Sequence, residues 1–259
     1  MPRYGLKLGI GETALADAAA SLWRSGEFDF LELYIPKSTR IEEAGSWEWY
    51  DGPLILHGPH GADGFNFAAA DLRDSNRAVL RLLDSLRKAM QPSRLILHPG
   101  WDGPESEFIR QIAWFRETLP ALYGLLRLEN KPLSAPGGRT CLGASPQDMA
   151  RLLMVSGAGF CLDFRHAAAY AADVGRDWLD AADEFLRLRP DLFHIADGNV
   201  GERFDSHRHF GEGDIDWRQL VPLVEPEALL TIECRKDPAL RLADFLRDRN
   251  YLCRLFGEG

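Results

Sequence analysis

Nine imidazole and carboxylate side chains in this sequence stand where a divalent metal could use them. His57, His98, Glu129, Asp163, His194 and Glu233 each fall at or near the end of a short apolar run; His166 follows Asp163 in a DxxH pair, and Asp205 with His207 forms a DxH pair. Imidazole nitrogens and carboxylate oxygens suit Zn²⁺ or Mn²⁺, and glutamates such as Glu129 and Glu233 can also move protons. A single histidine at a strand end is more often structural, satisfied by a polar neighbour. That reading fails for the ensemble, because structural histidines have no reason to gather at one end of the same set of strands. His60 and His209 lie close to stronger candidates and read as loop or supporting residues. Asp197, three after His194, reads as a helix cap or a carboxylate supporting the ligands rather than as a ligand itself.

The elements that must position these groups are legible as eight apolar runs rich in β-formers, at 6–10, 30–35, 54–58, 94–100, 126–130, 159–164, 192–197 and 229–234. Between them, segments 14–23, 76–90, 105–119, 146–155, 167–187 and 238–249 carry apolar residues at helical spacing. Ser75 and Ser145 are positioned as N-caps, the latter with Pro146 just inside. The polar, Trp-rich 36–53 and the Gly-rich, charged 199–214 read as long functional loops, the first with Trp47, Trp49 and Tyr50 available to stack on a ring or to pack under the loop. Strands alternating with helices over 259 residues predict an α/β protein, a (β/α)₈ TIM barrel formed by a single domain at 1–259. An open doubly wound sheet is the runner-up, but Gly9 and Gly11 make only a lone GxG. In a barrel, active sites form at the C-terminal ends of the strands, where the candidate ligands fall.

Composition narrows the function classes. A formal charge of −9 repels nucleic acid and anionic membranes over the surface as a whole, while leaving room for a local positive site. Cys141, Cys161, Cys234 and Cys253 are widely spaced, which speaks for a reducing compartment. Without a leader pattern or a long apolar stretch, a soluble, cytoplasmic protein is expected, with no membrane and no obligate protein partner.

The fragments HGP at His57, HPG at His98, LEN at Glu129, LDFRHA across Asp163 and His166, FHIAD at His194, DSHRHFGEG with Asp205 and His207, and IE at Glu233 together resemble the xylose-isomerase-like barrels, and among them the endonuclease IV type (AP endonuclease family 2). The resemblance spans nearly the whole chain. It implies a metal-dependent phosphodiester hydrolase with a trinuclear site, usually of zinc, with manganese as an alternative, and a metal-bound hydroxide nucleophile. His57, His98 and Glu129 would hold one ion; Glu129, Asp163, His194 and Glu233 a second, with Glu129 bridging; His166, Asp205 and His207 a third. Three divalent ions against four carboxylates would leave the site positive, suited to an anionic phosphodiester. The substrate would be abasic-site DNA or a small-molecule phosphodiester. His60 stands where the DNA-repair enzymes carry a tyrosine, and the YIPKSTR segment does not resemble their DNA-penetrating loop, which favours the small molecule.

Two other readings remain open on sequence. A sugar isomerase or epimerase would bind one metal with Glu129, Asp163, His194 and Glu233, leaving the other ligands without a task. A non-catalytic metal- or ligand-binding barrel would bind metal without turnover.

Overall fold

All eight apolar runs become strands in the computed structural model, which describes residues 2–135, 137–204 and 206–257. They are β1 (Arg3–Gly9), β2 (Phe30–Tyr34), β3 (Leu54–His57), β4 (Arg94–Leu97) and β5 (Leu126–Glu129), then, after a small antiparallel hairpin of β6 (Ser134–Ala135) and β7 (Arg139–Thr140), β8 (Gly159–Asp163), β9 (Leu192–Ile195) and β10 (Leu229–Ile232). The eight long-range strands pair in parallel, each with its neighbours in the chain, and β1 closes on β10. This is the expected (β/α)₈ barrel. Among the described residues, no helix is long and apolar enough to cross a membrane.

Helices surround the strands: α1 (Ala16–Arg24), α2 (Arg73–Met90), α3 (Glu105–Thr118), α4 (Pro120–Tyr123), α5 (Pro146–Ser156), α6 (Phe164–Val174), α7 (Trp178–Leu186) and α8 (Ala243–Leu255). The single helix expected over 167–187 is two. Gly175 ends α6 in the left-handed conformation at φ 68, and Asp177 Oδ1 caps α7 by accepting from Leu179 N. Ser145 caps α5 as expected, accepting from Asp148 N at 3.0 Å, but Ser75 lies inside the first turn of α2, whose N-cap is Leu72. The segment starting at 238 is first a 3₁₀ turn, Pro238–Leu240, before α8 begins. The 36–53 loop contains a 3₁₀ helix, Ile41–Trp47, and buries Trp47, whose Nε1 donates to Ile10 O at 2.8 Å, so this tryptophan packs rather than presents its ring.

Two layers fill the barrel. Phe30, Ile55, Ile96, Cys161 and Leu192, one from each of five strands, form a separate apolar cluster. Side chains alternate across a strand, so the residues two further along face the same interior: Glu32, His57, His98, Asp163 and His194. The lower layer is a hydrophobic plug and the upper one is polar, so the metal-ligand candidates rest on a packed floor.

Candidate metal centre

At the top of that floor, three imidazoles close on one carboxylate. His57 Nε2, His98 Nε2 and His194 Nδ1 lie 3.5, 3.1 and 3.5 Å from Glu129 Oε2. These four atoms are buried, and none is aligned for a hydrogen bond with its neighbours. Buried polar atoms are nearly always satisfied, and a converging set of imidazole nitrogens around a carboxylate is the donor chemistry of a zinc or manganese site. The residues present therefore fit such an ion. His57, His98 and Glu129 offer ligand atoms within 4.8 Å of one another, as do Glu129, Asp163 and His166. Glu129 is common to both sets.

The second half of the centre is built by β8 and the start of α6. Asp163 ends β8 and caps α6, its Oδ1 accepting from His166 N at 2.7 Å; the DxxH spacing thus puts His166 on the first helical turn beside Glu129, with Nδ1 3.2 Å from Glu129 Oε1. Asn130 ties the two strands together: its Oδ1 accepts from Asp163 N, its Nδ2 donates to Asp163 O, and its own carbonyl accepts from His166 Nδ1 at 2.8 Å. Asp163 gathers with Glu129 and His166. His194 Nδ1 lies 2.9 Å from Glu233 Oε1. Asp205 lies outside the described residues. His207 adopts φ 45, a region unusual for a residue other than glycine, and is held there by Nδ1 donating to Glu233 O at 2.8 Å and by Arg235 N donating to its carbonyl.

Of the supporting residues, His209 belongs to the packing, with Nδ1 2.7 Å from Asp248 Oδ2. His60 stacks on Tyr34 at 5.1 Å, lines the cavity, and is pushed down to about 4 by burial and by the charge of Lys131. Asp197 caps none of the described helices and acts as a supporting carboxylate. It accepts from Gly198, Gly211 and Gly213 backbone N–H groups and from Trp217 Nε1, stapling the loop that carries His207.

Two charged residues in this layer lie outside the strand ends to which the sequence pointed. Lys7 on β1 and Glu32 on β2 stand opposite each other in register, with Nζ 3.1 Å from Oε1. Glu32 also meets His57 Nδ1 at 2.8 Å and His194 Nε2 at 3.0 Å, while Lys7 bonds Glu233. The signal was present: each is a lone charge inside an apolar run, at the alternating position shared with the other inward residues. Burial works against their charges, but mutual attraction prevails. Lys7 is pushed up by Glu233, Glu32 and Glu129; Glu32 and Glu233 are pulled well below the usual range by His194 and Lys7, and Glu129 by His98 and His194. Burial drives His57 and His98 down, whereas Cys161 and the three glutamates drive His194 up despite its burial.

Above the centre opens a cavity of about 860 Å³. One side is a wall formed by three loops. Trp101 packs so closely on Gly61 that a Cβ there would fall 2.2 Å from its ring, Arg139 covers the ring at 4.7 Å, and Leu142 N and Asp102 N bond Gly100 O and Thr140 O across to the β6–β7 hairpin. Lys131 and Lys236 also line the cavity.

Comparison with known proteins agrees with this architecture. Residues 48–249 match the family described as xylose isomerase-like TIM barrel. Endonuclease 4 of a Thermus thermophilus strain is 27% identical over 245 residues, which covers 83% of this chain and 84% of that protein. Among solved structures, endonuclease IV from a second strain of Thermus thermophilus superposes with a TM-score of 0.69 at 21% identity, covering 98% of this chain and 97% of that one. The 3-keto-D-glucoside 4-epimerase of E. coli superposes with a TM-score of 0.63 at 15% identity, covering 98% and 99%. At those identities the two structures share the fold, and the fold alone does not choose between their activities.

Proposed function

The chain belongs to the xylose isomerase-like TIM barrel family, and from that premise we propose that it is a metal-dependent hydrolase of phosphodiesters. The observation that carries this reading is the convergence of buried ring nitrogens of His57, His98 and His194 on Glu129 Oε2. A single-metal isomerase using Glu129, Asp163, His194 and Glu233 would leave His57 Nε2 and His98 Nε2 buried without a task. A centre of several ions gives them one.

In this reading His57, His98 and Glu129 hold one ion, Glu129, Asp163, His194 and Glu233 a second, and His166, Asp205 and His207 a third, with zinc or manganese suited to the nitrogen and oxygen donors. When bound, such ions supply Lewis acidity and a water ionised near neutral pH for in-line attack on phosphorus. The chain's own groups do the remaining work. Lys131 and Lys236 give the cavity positive charge that draws in an anion against the overall −9. Glu129 and Glu233, held ionised by their neighbours, balance the ions. Trp101 and the stacked Tyr34–His60 pair offer faces against which an ester group can pack. A walled cavity of about 860 Å³ is of the size that encloses a small ligand, so a small-molecule phosphodiester is placed ahead of abasic DNA.

The test is an assay of zinc- and manganese-loaded protein on bis(4-nitrophenyl) phosphate, a dinucleotide and a duplex with one abasic site, alongside aldose–ketose interconversion and epimerisation. Phosphodiester cleavage that disappears in a folded Glu233→Gln variant supports the reading. Sugar interconversion without cleavage would replace it with the isomerase, and metal binding with neither activity would replace it with a binding protein.

A further inference from the structure

Beneath the centre, Glu32 is fully buried and cannot reach a substrate, yet its two oxygens serve two different histidines. Oε1 lies 2.8 Å from His57 Nδ1 and Oε2 lies 3.0 Å from His194 Nε2, while Thr231 Oγ1 donates to Oε2 at 2.7 Å. The ring nitrogens on the far side, His57 Nε2 and His194 Nδ1, are buried and face Glu129 Oε2, the second also lying 2.9 Å from Glu233 Oε1. We propose that Glu32 is a positioning residue: by accepting one N–H from each ring it selects the tautomers, opposite in the two histidines, that turn both lone pairs toward a shared metal.

The chemistry follows from the imidazole itself. A neutral ring has one N–H and one lone pair, so fixing the proton on one nitrogen commits the other as a ligand. Carboxylates behind metal-bound histidines commonly do this for one ring; here a single carboxylate on β2 would do it for rings on β3 and β9. Lys7 sets the constraint that makes Glu32 necessary. Its Nζ is also 2.8 Å from His57 Nδ1. That nitrogen cannot donate to Glu32 and accept from an ammonium at the same time. Only when it donates to Glu32, and the Lys7 protons go to Glu32 and Glu233, does His57 Nε2 keep its lone pair. Without the carboxylate, Lys7 is left as the partner of Nδ1, and the proton moves to the nitrogen that should bind metal.

This inference rests on the metal-centre reading, and its experiment separates the two. Metal-free wild type, Glu32→Gln and Thr231→Val are titrated with Zn²⁺ against a chromophoric chelator, the Co²⁺ absorption spectrum of each is recorded, and each metal-free protein is melted. A glutamine can accept from only one of the two rings. Glu32→Gln should therefore weaken the tightest zinc equivalent by about 10- to 100-fold and alter the Co²⁺ spectrum, with Thr231→Val giving a smaller loss in the same direction. Wild-type zinc affinity and spectrum in Glu32→Gln, whatever its melting temperature, would overturn the inference. Should Glu32→Gln not fold, ring-proton NMR of zinc-loaded wild type decides: protons assigned to His57 Nδ1 and His194 Nε2 support the inference, and the opposite tautomer at either ring overturns it. Wild type that binds no zinc at all would overturn the centre, and the inference with it.

Discussion

His194, at the end of β9, is fully buried and meets three glutamates, whereas His207, on the loop that follows, keeps a third of its side chain exposed and is held by two hydrogen bonds to the segment after β10. The first is placed by the barrel: its register with Thr231 and Asp163 fixes the backbone, and Glu32 fixes the ring. The second is placed by its loop, which is fastened through Asp197. The difference teaches that one face of the barrel combines two kinds of support for its side chains, a rigid floor shared with the fold and a strapped loop. Under the proposed function, strand-borne ligands should govern whether the protein binds metal at all, and loop-borne ligands how many ions it holds.

The largest effect should come from Glu129→Gln, which removes the charge that four histidines share. Metal content by elemental mass spectrometry should fall by at least two equivalents and phosphodiester cleavage to background; full loading would break the comparison at its floor. Asp197→Ala should come next. It strips acceptors from three backbone N–H groups and Trp217 Nε1, at about 3 kcal/mol of stability by chemical denaturation, and should release the ion that depends on His207 while the strand-borne ions stay. Loss of every ion together would show that floor and loop are one unit. His207→Ala should remove one equivalent and cost about 1 kcal/mol, the loss of its hydrogen bond to Glu233 O; a drop of several kcal/mol would mean that the loop supports the barrel.

The smallest effect concerns pH in the metal-free protein. His57, His60 and His98 have depressed values in the folded state, so the unfolded chain takes up protons first, near pH 6.5, and their contribution to stability is lost as pH falls below that, for His60 down to about 4. His194 is raised and works the other way: its contribution is full below pH 6.5 and is lost as pH rises through its folded value. His60→Gln, at the rim, should make denaturation midpoints slightly less sensitive to pH between 6.5 and 4. An unchanged slope would mean that the rim is as well solvated as the unfolded chain.

Much of the barrel was legible because buried parallel strands read as apolar runs, and each of the eight runs is a strand. The break at Gly175–Asp177 carried its own capping signals, but helical spacing on both sides masked it. The β6–β7 hairpin gave no periodicity, since two-residue strands are too short to show one. Of the candidate site, the strand-end positions of His57, His98, Glu129 and Asp163 were readable because a barrel presents those ends at one face. Lys7 and Glu32 fell below that face, inside their runs, and their alternation with apolar neighbours was the only trace of them.

By itself, the sequence determined which residue types lie at which strand ends, because side-chain alternation and strand order are local consequences of chain chemistry. Only the tertiary structure decided the partners: that Asp163 stands with His166 and Glu129, that His194 turns toward Glu233, and that Glu32 lies behind two histidines 25 and 162 residues away. The reason is physical. Barrel closure sets distances between residues remote in sequence, and ligand geometry depends on tenths of an ångström and on which ring nitrogen carries a proton, quantities that no spacing along the chain encodes.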